Sequence, residues 1–254
     1  MCTESSAVAQ SENASVTFES FADWCLNQAS LPPEARHTVD VLLAEAGTQD
    51  CPQAEESLNN LTEIVLWRSE IVDVTPFASL THLTGLSLDV NNIVDVSPLT
   101  SLTNLTMLSL GSNQIVDVSP LACLNNLTKL HLHENQIVDV TSLARLTNLT
   151  TLSLNFNHIA DVSPLASLTN LNELYLTSNQ IGDITSLARL TNLTRLSLIN
   201  NNIVDVSPLT SLINLNELYL EDTGIADVSP LASLTNLTEL SLRANAYSSS
   251  EDFE

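Results

Sequence analysis

Apolar residues recur along this chain with a period of 22 positions, without a gap, from Leu61 to the C-terminal edge. Aligned at that period, the segments read L-x-x-L-x-L-x-x-N-x-I-x-D-V-S-P-L-A-x-L-T-N, about eight and a half times over. The first leucine returns at Leu61, Leu83, Leu105, Leu127, Leu149, Leu171, Leu193, Leu215 and Leu237. A fixed period of this length marks a solenoid, in which each unit buries its apolar side chains only against its neighbours.

Each unit opens on alternating apolar and other residues, as in Leu105-Thr106-Met107-Leu108-Ser109-Leu110. This predicts a short strand with one buried face. Framework residues such as Leu130, Leu132, Ile137, Leu143, Leu146 and Leu154 form the predicted core. Three residues after the strand stands an asparagine (Asn91, Asn113, Asn135, Asn157, Asn179, Asn201 and Asn245). Its amide both donates and accepts, so it can satisfy buried backbone where the strand turns. Ser69 and Thr223 replace it, and those turns are expected to be the loosest.

The return half is compact. Val-Ser-Pro-Leu, as at Val118 to Leu121, places Ser before Pro and starts one turn of 3₁₀ or α-helix. An aspartate precedes it at Asp73, Asp95, Asp117, Asp139, Asp161, Asp183, Asp205 and Asp227. Such a ladder could suggest a calcium array, but calcium takes about six to eight oxygen ligands and each carboxylate here stands alone. The favoured reading is a turn residue accepting backbone N–H bonds. The Asn-Leu-Thr triplets, such as Asn104-Leu105-Thr106, match the glycosylation acceptor motif, yet they recur because the framework recurs.

These residues carry a close resemblance to leucine-rich repeats, and the I-x-D-V-S-P-L segment resembles the internalin-type repeats of bacterial surface proteins. The resemblance covers residues 61 to about 247. It implies an α/β solenoid: an arc with a parallel β-sheet on its concave face, a 3₁₀, short-helix or irregular convex side, and a small α-helical N-terminal cap. It also implies a non-enzymatic protein-recognition role, displayed extracytoplasmically at a bacterial cell surface or in the periplasm. Internalins continue into an immunoglobulin-like domain, whereas this sequence ends at Glu254.

The first sixty residues differ in kind. Residues 1–16 are small and polar and are expected to be a disordered tether. Residues 17–60 read as the helical cap, which a solenoid end requires. Phe21, Trp24, Cys25 and Leu26 form an apolar patch, Pro32-Pro33 opens a second helix to about Ala46, and a third runs from Gln53 to Asn59. Residues 61–236 hold eight repeats, and 237–254 a partial ninth with a short tail. Cys25 and Cys51 flank the second helix. A disulfide across it is one reading, two buried thiols packing as small hydrophobes the other. Cys123 sits where other repeats carry Ser or Arg and reads as an incidental free thiol. Met1-Cys2-Thr-Glu-Ser-Ser-Ala resembles a bacterial lipoprotein after signal-peptide removal, which makes Cys2 a lipid-anchor candidate; an ordinary cysteine in a floppy terminus is the alternative.

Seven basic against thirty acidic residues give a formal charge of −23. That sheath repels phosphate backbones and anionic lipid, which disfavours nucleic acid and leaves a lipid on Cys2 as the membrane route. A hydrophobic content of 44% with strict periodicity indicates a folded chain.

Function is expected on the outward strand positions, the third, fifth and seventh of each repeat. The fifth-position row runs Val65, Ser87, Ser109, His131, Ser153, Tyr175, Ser197, Tyr219, Ser241, and the seventh runs Trp67, Asp89, Gly111, His133, Asn155, Thr177, Ile199, Glu221, Arg243. Nine strands about 4.8 Å apart give a strip of roughly 40 Å, suited to a protein or peptide. The candidate contact residues are Trp67, Met107, Lys129, His131, His133, Phe156, Tyr175, Arg195, Ile199 and Tyr219, with the aromatics as anchors. For Arg195, between Glu173 and Glu217 in its row, cross-strand pairing is the stronger reading. For Trp67, packing against the cap is the stronger one. His131 and His133 point the same way but lack a well-placed third ligand among Asp89, Glu134 and Asn155, so no metal is assigned. They are expected to titrate near pH 6.5 and tune binding. Ser109, His131 and Ser153 are adjacent, yet no carboxylate stands behind His131 and an open sheet excludes no water, so no catalytic residue and no cofactor is assigned. The alternative to a recognition module is a structural or adhesive envelope solenoid, self-associating weakly through its C-terminal edge or binding surface glycan.

Overall fold

The computed structural model describes residues 18–245. Cys2, Tyr247 and Phe253, on which part of the sequence reading rests, lie outside them, as does the expected tether. Nine three-residue strands, one per repeat, form a single parallel sheet in chain order: β1 (Glu63–Val65), β2 (Gly85–Ser87), β3 (Met107–Ser109), β4 (Lys129–His131), β5 (Thr151–Ser153), β6 (Glu173–Tyr175), β7 (Arg195–Ser197), β8 (Glu217–Tyr219) and β9 (Glu239–Ser241). The register advances by one repeat per strand, for example Lys129↔Thr151 and His131↔Ser153, so each outward position forms a continuous row. Eight 3₁₀ turns, from Thr75–Ser79 to Ser229–Ser233, make the return wall. This is the α/β solenoid with a parallel sheet that the period predicts.

The core is a column of aliphatic side chains between sheet and turns. Leu130, Leu132, Ile137, Leu143, Leu146 and Leu154 are all fully buried. Asparagine holds the turn after each strand. Asn135 donates from Nδ2 to the carbonyls of Leu110 (3.0 Å), Leu132 (3.1 Å) and His133 (3.2 Å), and its Oδ1 accepts the Ile115 N–H (2.9 Å). A single amide therefore staples two repeats, and the set recurs at Asn157 and Asn201. At Thr223 one hydroxyl proton faces both Leu220 O (3.0 Å) and Asn245 Oδ1 (2.6 Å) and can serve only one of them. The following Gly224 takes φ +125°, a region essentially reserved for glycine. The turn residue Asp117 accepts the Ser119 N–H at 2.8 Å, and the same bond recurs at Asp95, Asp139, Asp161, Asp183, Asp205 and Asp227. The asparagine of the Asn-Leu-Thr triplet is likewise committed: Asn104 Nδ2 donates to Thr81 O at 2.9 Å.

Three helices cap the first repeat: α1 (Phe21–Leu26), α2 (Pro33–Ala46) and α3 (Cys51–Asn59). Ser20 and Asp23 form a capping box on α1, and Gly47 at φ +72° closes α2. The third helix begins two residues earlier than the pattern predicts, because Asp50 caps it by accepting the Gln53 N–H. The patch assigned to α1 is corrected at Leu26, which is 68% exposed, while Phe21 and Cys25 point inward. Cys25 and Cys51 are joined by a disulfide with Cα atoms 5.6 Å apart, tying α1 to α3. Cys123 is disulfide-bonded too, so the expectation of a free thiol there is wrong. The fully buried Thr38 fastens α2 to the solenoid by donating to Asp73 O at 2.6 Å, and Phe77 of the first turn is fully buried beneath the cap.

Candidate functional site

The outward rows do not form one uniform face. Three fifth-position serines, Ser109, Ser153 and Ser197, are buried although they point away from the core. Ser153 and Ser197 lie between larger rings, and Ser109 lies beside His131. Ser109 donates to Asp89 Oδ1 at 2.7 Å, and the same oxygen accepts the Gly111 N–H at 2.6 Å. The Ser109 hydroxyl next to His131 is thus paired with a carboxylate on the opposite side, an arrangement that stabilises the sheet.

The richest cluster lies across β6, β7 and β8. Tyr175 donates from its hydroxyl to Glu173 Oε2 (2.9 Å), Arg195 Nη1 donates to the same hydroxyl (3.2 Å), Arg195 Nη2 pairs with Glu217, and Tyr219 donates to Glu217 Oε2 (2.8 Å). Arg195 thus reaches Glu217 directly and Glu173 only through the tyrosine, the cross-strand pairing expected for its row. The contact with Arg195, then that with Tyr219, holds the Glu217 carboxyl below its usual range. Burial, with Glu173 adding to it, raises the Tyr175 phenol, and the bond to Glu217 raises that of Tyr219. Arg195, Glu217 and the two tyrosines therefore keep one charge state across neutral pH. Tyr175, Arg195, Ser197, Ile199, Glu217, Tyr219 and Glu239 line an open depression. The tyrosine rings stand around it held by the network, which lowers the entropic cost of using them as contacts, and Ile199 adds an apolar side chain to the lining.

On the rim, Phe156 is 51% exposed at φ +54°. The eighth position of every repeat is left-handed, and none carries glycine: Arg68, Val90, Ser112, Glu134, Phe156, Ser178, Asn200, Asp222 and Ala244 all have φ between +50° and +58°. A bulky side chain there costs of order 1 kcal/mol.

Further toward the cap, the imidazole of His133 lies over Gly111. His131 is partly buried beside it. Burial, and then His133, lower its pKa below the usual 6.5, against the opposing pull of Asp89 and Glu173. The expectation that it titrates near 6.5 is corrected accordingly. Lys129 is exposed and Met107 half-buried on the same strip. Trp67 does not pack into the cap: it is 58% exposed, with the Arg68 guanidinium 5.0 Å from its ring centre, and Val65 beside it is 60% exposed. Among the described residues, no group of three or more His, Cys, Asp or Glu side chains is placed to hold a metal ion.

One short strand per 22-residue unit, stacked in parallel with a 3₁₀ return and an asparagine ladder, defines a leucine-rich repeat solenoid. The leucine-rich repeat family model matches residues 103–145, 147–189, 191–233 and 213–254. Internalin C2 of Listeria monocytogenes is 39% identical over 80% of this chain and 91% of its own, with a TM-score of 0.74. An internalin of the same organism, internalin F, is 33% identical over 87% of this chain and 74% of its own, with a TM-score of 0.67. A leucine-rich repeat protein of Leptospira interrogans shares the fold at 24% identity and a TM-score of 0.63, over 76% of this chain and 57% of its own. No curated protein matches the chain. The chain belongs to the internalin-type leucine-rich repeat proteins of bacteria.

Proposed function

We propose that this protein is a non-enzymatic recognition module displayed outside the bacterial cytoplasm, binding a protein or peptide through its concave face. The observation that carries the reading is the depression between Tyr175 and Tyr219, whose rings are braced by Glu173, Arg195 and Glu217 without contributing to the leucine core. Pre-ordered aromatic side chains around a pocket are where interface energy concentrates. Phe156 on the rim extends the surface toward His133, and Trp67 offers a second apolar contact near the cap. Display at the cell surface belongs to the same proposal.

A panel of host and envelope surface proteins, screened against the intact chain, tests it. A partner should protect rows three, five and seven from labelling, and changing Tyr175→Ala, Tyr219→Ala and Phe156→Ala together should abolish its binding. Equal loss from the return-wall changes Arg145→Ala and Arg189→Ala would move the site off this face. Weak self-association is a second reading, favoured by Leu240 on the final strand, which is 43% exposed. It should strengthen as salt screens the acidic charge, and sedimentation as a strict monomer at high salt and high concentration would remove it.

A further inference from the structure

A second apolar surface lies away from the concave sheet, at the twelfth position of the repeat, between the asparagine turn and the 3₁₀ turn. There Val72, Val94, Val116 and Val138 are 41%, 53%, 51% and 57% exposed on four consecutive repeats. The same position then holds Ala160 and Gly182, returns once to an exposed valine at Val204 and ends on Ala226, so the unbroken run of four valines lies in the cap-proximal half. The framework does not need valine here. Alanine and glycine are accommodated later in the array, and a Cβ built on Gly182 meets only Asn202 O, at 3.7 Å. Four large aliphatic side chains held in solvent on adjacent repeats are what a docking surface presents.

We propose that this row docks an amphipathic helix of a partner protein that carries about one apolar side chain per turn, flanked by basic residues. Charge indicates the flank: immediately beside the valines run Asp73, Asp95, Asp117 and Asp139, one carboxylate per repeat. Two such faces would repel each other, which argues against a second copy of this chain as the occupant, and the net charge of −23 argues against anionic lipid. Spacing indicates the helix. Neighbouring repeats stand about 4.8 Å apart at the sheet, close to the ~5.4 Å rise of one helical turn. Over three intervals that mismatch reaches ~2 Å. The same-face step of an extended strand, ~6.7 Å, would drift by nearly 6 Å.

Calorimetric titration of the full chain with a synthetic helix of about 14 residues, leucine once per turn with lysine alongside, tests the proposal. A scrambled peptide of the same composition is the control. The ordered peptide should bind about tenfold or more tightly than the scrambled one. Changing Val94→Thr, Val116→Thr and Val138→Thr together keeps the β-branched shape and the backbone preference but should remove that advantage. Tyr175→Ala with Tyr219→Ala should leave it intact, which separates this surface from the concave one. Equal binding of both peptides would reduce the effect to bulk charge. No binding of the ordered peptide, or undiminished binding by the threonine variant, would overturn the docking surface.

Discussion

The ring of His133 occupies the space that a side chain on Gly111 would need: a Cβ built there would stand 2.1 Å from the imidazole Cε1. Glycine at this one place in the seventh-position row lets the imidazole lie flat against the sheet. Gly111→Ala should therefore push His133 outward while leaving the fold intact, because the obstacle is the end of a rotatable side chain and not backbone. Histidine ring resonances should shift strongly with thermal stability changed by less than about 1 kcal/mol. An unmoved His133 signal would contradict this packing.

Asn157 joins two repeats through three donated bonds and one accepted one. Asn157→Ala leaves a buried N–H and three carbonyls short of partners, and should cost about 2–4 kcal/mol in denaturant melts. Conversely, Thr223→Asn, with Gly224 kept because its φ of +125° excludes other residues, should gain about 1 kcal/mol in the same melts.

Core truncation gives a reference scale. Leu154 is fully buried between sheet and turns, and Leu154→Ala should cost about 2–5 kcal/mol. An unchanged circular-dichroism melt would contradict the core assignment.

Acid should weaken the fold in two stages. Unfolded His131 takes up a proton near pH 6.5, whereas burial and His133 hold the folded ring neutral to lower pH. The unfolded state thus binds more protons in that window, and stability falls as pH drops from about 6.5 through the folded pKa. His131→Gln should flatten the melting temperature between pH 7 and 5. Glu217, held low by Arg195 and Tyr219, and Asp139, held low by Thr141, act later. Their contribution is present above the ordinary carboxylate range and is lost as pH falls through their depressed values.

At Phe156 stability and recognition should part company. Asparagine tolerates the left-handed backbone better than a bulky ring, so Phe156→Asn should raise stability by up to ~1 kcal/mol while weakening partner binding. A variant that loses both would assign Phe156 to packing.

The period alone made the strands, their register and the core legible, because every framework position is over-determined by eight neighbours of the same kind. Side-chain placement on the outward rows was less so. Periodicity states that Ser109 and Tyr175 both point away from the core, but not that the serine sinks between its neighbours while the tyrosine stands on a glutamate. Trp67 was misread for a related reason: adjacency to the cap in sequence does not show that α1–α3 cover the first turn and leave the first strand's outer face open. The exposed valines were hidden by their setting, since Ile-Val-Asp-Val reads as two framework residues and a turn acid. Cys123 carried no local signal at all, because the pairing of a cysteine depends on chain far from it.

Thr223 also has a mechanical meaning. A protein held at one end and gripped by a partner elsewhere carries load along the stack, and a stack of nearly equal rungs opens at its least braced joint. Elsewhere in the middle of the array an amide bonds back to the preceding repeat, as Asn135 does to Leu110 and Ile115, whereas the Thr223 hydroxyl faces Leu220 of its own repeat and Asn245 of the next. Tension should therefore be released first between β7 and β8, across the Arg195–Glu217 pair.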